Sequence, residues 1–312
     1  MPENSKLKIQ NSKLPILVGP TGVGKSEIAF LLAKRLDAEI ISADAFQVYR
    51  GLEVGTAQPP QEWQKEVPHH LVGVRDPHES WNAVEFAREA KNVIESVQAR
   101  KTMVILVGGA GFYIRALVDG APSGSAPTPE IRGLVLERIR ELGNEKALAW
   151  LKERDPARAE KLHPNDIQRI CRALEKTFET APEKAEYDPL GPEKVLFWGL
   201  ERSKDKLDLI LKARAESMWR GGLLDETKKL METGLTFDHP IWGAIGYAEA
   251  QAFLKGEWGE ALALERIFRR TRQYAKRQWT WFKHQHEVHW LNLDDFQNAE
   301  GVVDALEKQI TE

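Results

Sequence analysis

Eight consecutive residues, Gly19, Pro20, Thr21, Gly22, Val23, Gly24, Lys25 and Ser26, read GPTGVGKS and fill the pattern GxxxxGK[ST]. A short apolar run, Leu14 to Val18 (LPILV), precedes them, with Pro15 near its start, where proline is tolerated in a strand. Apolar residues at helical spacing follow, with Ile28, Leu31, Leu32 and Leu36 on one face. A glycine-rich turn between a buried strand and a helix gathers backbone N–H groups into an anion nest. The helix N-terminus adds its dipole, Lys25 adds a full positive charge, and the Ser26 hydroxyl is a ligand for Mg²⁺. Such loops serve ATP-binding and other nucleotide-binding proteins, so the segment predicts a phosphate or diphosphate site.

The same alternation of strand and helix runs through the first 120 residues. Glu39 to Ser42 and Met103 to Val107 are further strand candidates, and Phe86, Ala90, Val93, Ile94 and Val97 share a helical face. This rhythm predicts an α/β fold with a P-loop NTPase-like parallel sheet and helices on both sides. It breaks at Ala121 to Pro129 (APSGSAPTP). No strand candidate follows between positions 130 and 180. A second irregular stretch, 181–192, leads into Lys194 to Leu200 (KVLFWGL), which reads as a strand again. The expected organisation is a first core part over 12–120, a helical insertion over 121–186, and a core return with C-terminal helices over 187–312.

Across 312 residues, 44 basic side chains nearly balance 47 acidic ones, so overall charge names no partner. One cysteine excludes a disulfide scaffold and fits a reducing cytoplasm. The polar start of the chain and the lack of any apolar run of about 18 residues predict a cytoplasmic protein with no membrane span.

A P-loop ATPase places a carboxylate after a hydrophobic strand to hold Mg²⁺. Here MVILV ends in Gly108, Gly109, Ala110 and Gly111, and the strand that ends in an acid is IISAD, closing at Asp44. At the carboxyl edge of a parallel sheet Asp44 can accept a proton from an incoming nucleophile. The alternative is a carboxylate that caps the next segment. The pattern supports group transfer from a phosphorylated donor and leaves phosphoryl and other transfers open. From Leu264 to Trp290, seven basic residues (Arg266, Arg269, Arg270, Arg272, Lys276, Arg277, Lys283) interleave with Phe268, Tyr274, Trp279, Trp281, Phe282 and Trp290. Such a segment neutralises phosphates and stacks bases, or forms an amphipathic helix with buried aromatics; spacing favours packing for most of the aromatics. His69 and His70 point apart on a strand or turn and so share no metal. Cys171 reads as a buried structural thiol, His163 as a loop organiser, and His284, His286 and His289 as partly exposed.

Taken in order, GPTGVGKS, EIISADAFQVYRGLEVGTAQP, PHHL, RDP, LVGGAGFYIRAL, HPNDIQRICRALE, IGY and RQYAKRQWTWF resemble the tRNA dimethylallyltransferases, from about residue 14 to 292. The resemblance implies transfer of a dimethylallyl group from dimethylallyl diphosphate to N6 of the adenosine just 3′ of the tRNA anticodon. It implies Mg²⁺ at Ser26 and release of diphosphate without ATP hydrolysis. It assigns the diphosphate to Gly19 through Ser26 and Arg214, with Lys25 in a catalytic role and Asp44 as the general base. It assigns tRNA contacts to Asp44, Ala45, Phe46, Gln47, Ala110, Arg132 and the run Gln168, Arg169, Ile170, Cys171 and Arg172. The chain is expected to act as a monomer. It departs from the family pattern at Ala110 (a threonine in LVGGTG), at Ala45 (usually serine) and at Ile210 (an arginine four residues before Arg214). An adenylate-type prenyltransferase, a small-molecule P-loop kinase and a catalytically weakened tRNA-binding relative remain alternatives.

Overall fold

Five apolar residues flanked by polar chain, Leu14–Val18, are buried at every position and form the strand β1. The computed structural model describes residues 13–120, 128–178, 188–236 and 239–311. The expected core start at residue 12, most of the linker at 121–129 and of the stretch at 181–192, and the boundaries at 121 and 186 lie outside the described residues.

Beyond β1 come α1 (Lys25–Leu36), β2 (Ala38–Ala43), the two-residue strand β3 (His69–His70), α2 (Ala83–Ala99), β4 (Met103–Gly108) and α3 (Gly111–Asp119). The strands β2 and β4 are buried throughout, as expected of strands covered by helices on both faces. Asn82 and Glu85 form a capping box that fixes the start of α2. Next come α4 (Pro129–Leu142), α5 (Asn144–Arg154) and α6 (Ile167–Lys176). The chain returns through β5 (Val195–Glu201), α7 (Lys204–Met218), α8 (Leu224–Glu232), α9 (Tyr247–Leu254), the long α10 (Glu260–Gln285), β6 (Val288–Asn292) and α11 (Ala299–Thr311).

The sheet has six strands in the order β3-β2-β4-β1-β5-β6, and every adjacent pair is parallel. Ile16 at its centre faces Leu106 of β4 and Phe197 of β5. The α/β fold with a parallel P-loop sheet is therefore as expected, widened by two edge strands. The parallel order puts the ends of β2, β4 and β1 side by side at one carboxyl edge, where ligands bind in such sheets.

The chain divides into two compact units, one from 1–120 with 189–312 and the other from 121–188. In the first, α1 and α11 share a core in which Ile28, Leu32 and Leu36 meet Val302, Val303 and Leu306. Another core in that unit joins Val48, Tyr49 and Leu52, just after β2, to Trp219, Trp242, Tyr247 and Ile267 of the C-terminal helices. The second unit is helical and centres on Val135, Ile139, Leu151, Ile170 and Leu174.

Candidate active site

The phosphate loop follows β1. Gly19, Gly22 and Gly24 all have positive φ (144°, 79° and 111°), which glycine adopts without strain. A Cβ on Gly19 would also lie 2.4 Å from the Leu200 carbonyl oxygen of β5. Val23 contributes its backbone to the loop while its side chain is fully buried in the core. Its carbonyl accepts a hydrogen bond from Arg202 Nε at 3.2 Å. Lys25 opens α1 and folds back to donate to the Gly19 and Pro20 carbonyls at 2.9 and 2.8 Å. Burial, and then the charge of Arg214, push the Lys25 ammonium down to about 7, with Asp44 opposing.

Asp44 stands immediately after β2. Its Oδ1 accepts from the N–H groups of Phe46 and Gln47 at 2.9 and 3.2 Å. Its Oδ2 has no hydrogen-bond partner among the described residues. The capping and catalytic readings therefore use different oxygens of one carboxylate. Gln47 is occupied by its own loop: Nε2 donates to the Thr56 and Ala57 carbonyls, and Oε1 accepts from Ser42.

The strand β4 ends in two glycines for steric reasons. A Cβ on Gly108 would lie 2.1 Å from the Ala43 carbonyl oxygen, and one on Gly109 would lie 2.0 Å from Gln278 Nε2. Ala110 is the N-cap of α3 and supplies no side-chain cap; its N–H donates to Ala43 at 3.2 Å.

Two helices from the C-terminal half close the site. The helix α7 supplies Ile210 and Arg214, and α10 supplies Tyr274 and Gln278. Burial lowers the pKa of Arg214, which makes no hydrogen bond or ion pair among the described residues although Asp44 favours its charge. Burial, then the charge of Asp44, raise the Tyr274 phenol, so it stays a neutral hydroxyl. Two cavities meet here. One, of about 380 Å³, is lined by Lys25, Ser26, Ser42, Ile40, Trp63 and Val107 among others. The other, of about 490 Å³, is lined by Ala45, Phe46, Met218, Ile245, Arg270 and Arg277 among others. Thr21, Asp44, Thr56, Arg214 and Tyr274 line both.

The structure thus gathers Thr21, Gly22, Gly24, Lys25, Ser26, Asp44, Gln47 and Arg214 on the first cavity, with Ala45 and Phe46 on the second. Ala110 is buried and borders neither. In the helical unit, Arg132 on α4 and Gln168 and Arg169 on α6 are exposed. Arg132 and Arg172 both bear electrostatically on the half-buried Cys171. Burial and Glu175 push that thiol up to about 11, which keeps it protonated and inert. Ile170 is fully buried in the unit's core, so its side chain packs there and presents nothing to a ligand.

Sequence reasoning did not single out Gln278, Glu226 or Tyr247. Glu226 Oε2 and Oε1 accept from the N–H groups of Val54 and Gly55 at 2.8 and 2.9 Å, and Oε1 also accepts from the Tyr247 hydroxyl. They pin the segment that carries Thr56. Among the histidines, His69 bonds Val67, His70 bonds Glu39 and His163 orders its own loop; no group of three or more acids, histidines and cysteines able to hold a metal occurs among the described residues.

Residues 47–285 match the sequence profile of the IPP transferase family. A tRNA dimethylallyltransferase of Alkaliphilus oremlandii is 36% identical over 307 residues, covering 95% of this chain and 96% of that protein. A tRNA dimethylallyltransferase 2 of Geotalea uraniireducens is 41% identical over 294 residues, covering 91% and 93%. The crystal structure of a full-length tRNA isopentenylpyrophosphate transferase from Bacillus halodurans superposes with a TM-score of 0.70 at 34% identity, covering 96% of this chain and 95% of the other. A eukaryotic dimethylallyltransferase caught acting on tRNA gives a TM-score of 0.73 at 27% identity, over 96% and 79%. A phosphate loop, a strand-end carboxylate and a similarity that runs the length of the chain converge on one assignment: the chain belongs to the IPP transferase family.

Proposed function

We propose that the chain is a tRNA dimethylallyltransferase that moves the dimethylallyl group of dimethylallyl diphosphate onto N6 of the adenosine 3′-adjacent to the anticodon. The observation that carries this reading is the shared wall of Asp44, Thr21 and Arg214 between a cavity on the phosphate loop and a cavity on α10. A donor in the first and a base entering the second would meet at Asp44.

The chemistry follows from the residues. The N6 lone pair attacks the allylic carbon, the carbon–oxygen bond breaks, and the electron pair leaves on the diphosphate. Lys25, Arg214 and the loop N–H groups stabilise that growing charge. The adenine amine is a poor nucleophile because its lone pair is delocalised into the ring. Asp44 Oδ2, free of other partners, takes its proton. The target base leaves its loop stack first, at a cost of a few kcal/mol.

Ser26 lies in the first turn of α1 on the wall of the donor cavity. That placement fits Mg²⁺ held by one hydroxyl together with diphosphate oxygens and water, the usual manner for this ion. When bound, the ion neutralises part of the diphosphate charge. Arg132, Gln168, Arg169 and Arg172 would meet tRNA phosphates or bases from the helical unit. The assignment is of a monomer working in the cytoplasm; no described helix is long and apolar enough to cross a membrane.

Parallel reactions with tRNA and Mg²⁺, one supplied with dimethylallyl diphosphate and one with ATP, test the assignment. Diphosphate release in the first and no ATP consumption in the second is the expected result. ATP turnover without prenyl transfer would refute it.

A further inference from the structure

Gln278 is 5% exposed and sits on α10 one turn after Tyr274. Its side chain reaches across the site. Oε1 accepts from the Thr21 N–H of the phosphate loop at 2.7 Å, and Nε2 donates to the Gly109 carbonyl at 3.0 Å. Both amide atoms are committed, and a flipped amide would set N–H against N–H and oxygen against oxygen. The glycine after β4 records the same contact, because a Cβ on Gly109 would lie 2.0 Å from Nε2. Two residues further on, a Cβ on Gly111 would lie 2.3 Å from the Trp281 ring, one helical turn beyond Gln278. The two glycines of the β4–α3 turn are thus fitted to one face of α10. That helix also lines the α10-side cavity through Ile267, Arg270, Thr271, Gln273, Tyr274 and Arg277.

We propose that Gln278 is a positioning residue that sets the phosphate loop from the acceptor-side helix, by holding Thr21 N–H and the Gly109 carbonyl in one amide bridge. It touches neither the reacting carbon nor the reacting nitrogen. It fixes where the loop presents its remaining N–H groups to the diphosphate, and it ties that geometry to α10. The proposal rests on the assignment of this pocket to a diphosphate donor.

Two variants test it. Gln278→Met keeps length and loses both hydrogen bonds, together with the side-chain hydrogen bond to the Tyr274 hydroxyl. Gln278→Glu keeps them only when the new carboxyl is protonated: the neutral acid accepts from Thr21 and donates to Gly109, as the amide does. The carboxylate loses the donation and sets a negative charge on a cavity that also holds Lys25, Asp44, Arg214 and the Tyr274 hydroxyl. The readouts are the Kd of inorganic pyrophosphate by calorimetry and the kinetic constants for dimethylallyl diphosphate and tRNA, each as a ratio to the parent protein at the same pH.

For Gln278→Met the expected result is pyrophosphate binding weaker by about tenfold, the worth of one to two hydrogen bonds, with the tRNA KM within about twofold. For Gln278→Glu the ratio approaches one at acid pH and worsens as pH rises through the titration of the introduced carboxyl. A purely structural role would lower the melting temperature and leave the pyrophosphate affinity of folded Gln278→Met unchanged. A folded Gln278→Met with parental pyrophosphate affinity, or a Gln278→Glu profile parallel to the parent's, overturns the proposal. If Gln278→Met does not fold, Gln278→Asn, too short to span both partners, takes its place with the same expected weakening and the same contrary result. A parent protein that binds pyrophosphate but transfers no dimethylallyl group would sink the functional assignment and leave the binding test of Gln278 intact.

Discussion

Asp44 holds its own turn with one oxygen and leaves the other for chemistry, so its two roles can be separated by substitution. An asparagine in its place would retain an Oδ1 to accept from Phe46 and Gln47 while losing the base. Asp44→Asn is expected to cut turnover by about 10²–10⁴-fold with tRNA affinity nearly unchanged, measured by single-turnover kinetics beside a filter-binding titration. Undiminished turnover would remove Asp44 from the mechanism. Lys25 carries a pH signature. With its pKa lowered from 10.5 to about 7, the folded free protein releases this proton near neutrality while the unfolded chain keeps it. The unfolded state then binds more protons between those values, and the Lys25 contribution to stability rises with pH across that window. A bound diphosphate favours the ammonium, so binding takes up a proton above pH 7. Pyrophosphate affinity should therefore weaken above pH 7, approaching about tenfold per pH unit from this group. Calorimetry in buffers of different ionisation enthalpy measures the uptake, and a pH-independent Kd from 7 to 9 would contradict it.

At the level of the element, the turn from β4 to α3 concentrates the information. Its glycines answer Ala43, Gln278 and Trp281, three neighbours that come close only once the sheet and α10 are assembled. Gly109→Ala should displace the Gln278 amide and reproduce the pyrophosphate weakening of Gln278→Met, with normal affinity as the contrary outcome. Ala110 leaves α3 without a side-chain cap. Ala110→Thr is expected to stabilise the protein by about 1 kcal/mol through that cap, read by thermal melt. An unchanged or lowered melting temperature would contradict it.

The elements also divide by how legible they were. Buried central strands announce themselves as apolar runs, and β1, β2, β4 and β5 were found within a residue or two of their ends. The edge strands were not. β3 is two histidines, and β6 (VHWLN) is only half-buried and follows directly on a basic helix. At the site, GPTGVGKS and Asp44 were legible because their chemistry is local to the motif. Gln278 was not, although it lies within RQYAKRQWTWF, because its partner Thr21 is 257 residues away and only the fold brings the two together. Glu226 was missed for the same reason: it meets Val54 and Gly55 only through the fold.

On the scale of the whole molecule, the helical unit interrupts the core in sequence without breaking the core's own hydrogen bonding. The Leu190 and Gly191 N–H groups donate to the Leu117 and Val118 carbonyls at 3.0 and 2.9 Å, so the chain leaves and re-enters the core at neighbouring points. Replacing 121–188 with a short flexible linker should leave a folded protein that binds pyrophosphate with parental affinity and no longer modifies tRNA. Circular dichroism, calorimetry and a transfer assay check the three parts, and retained tRNA modification would contradict the role given to that unit. The near-balance of charge along the chain fits this division, because anion recognition rests on a few placed cations such as Lys25 and Arg214 rather than on net charge.

One pocket grips the departing diphosphate while Asp44 deprotonates an extruded adenine. Incubation of the full chain with unmodified tRNA, Mg²⁺ and labelled dimethylallyl diphosphate, followed by digestion and nucleoside analysis, tests it most directly. The expected result is label on N6 of the adenosine beside the anticodon, with one diphosphate released per label. Unlabelled tRNA alongside intact donor, or label on any other atom, would contradict it.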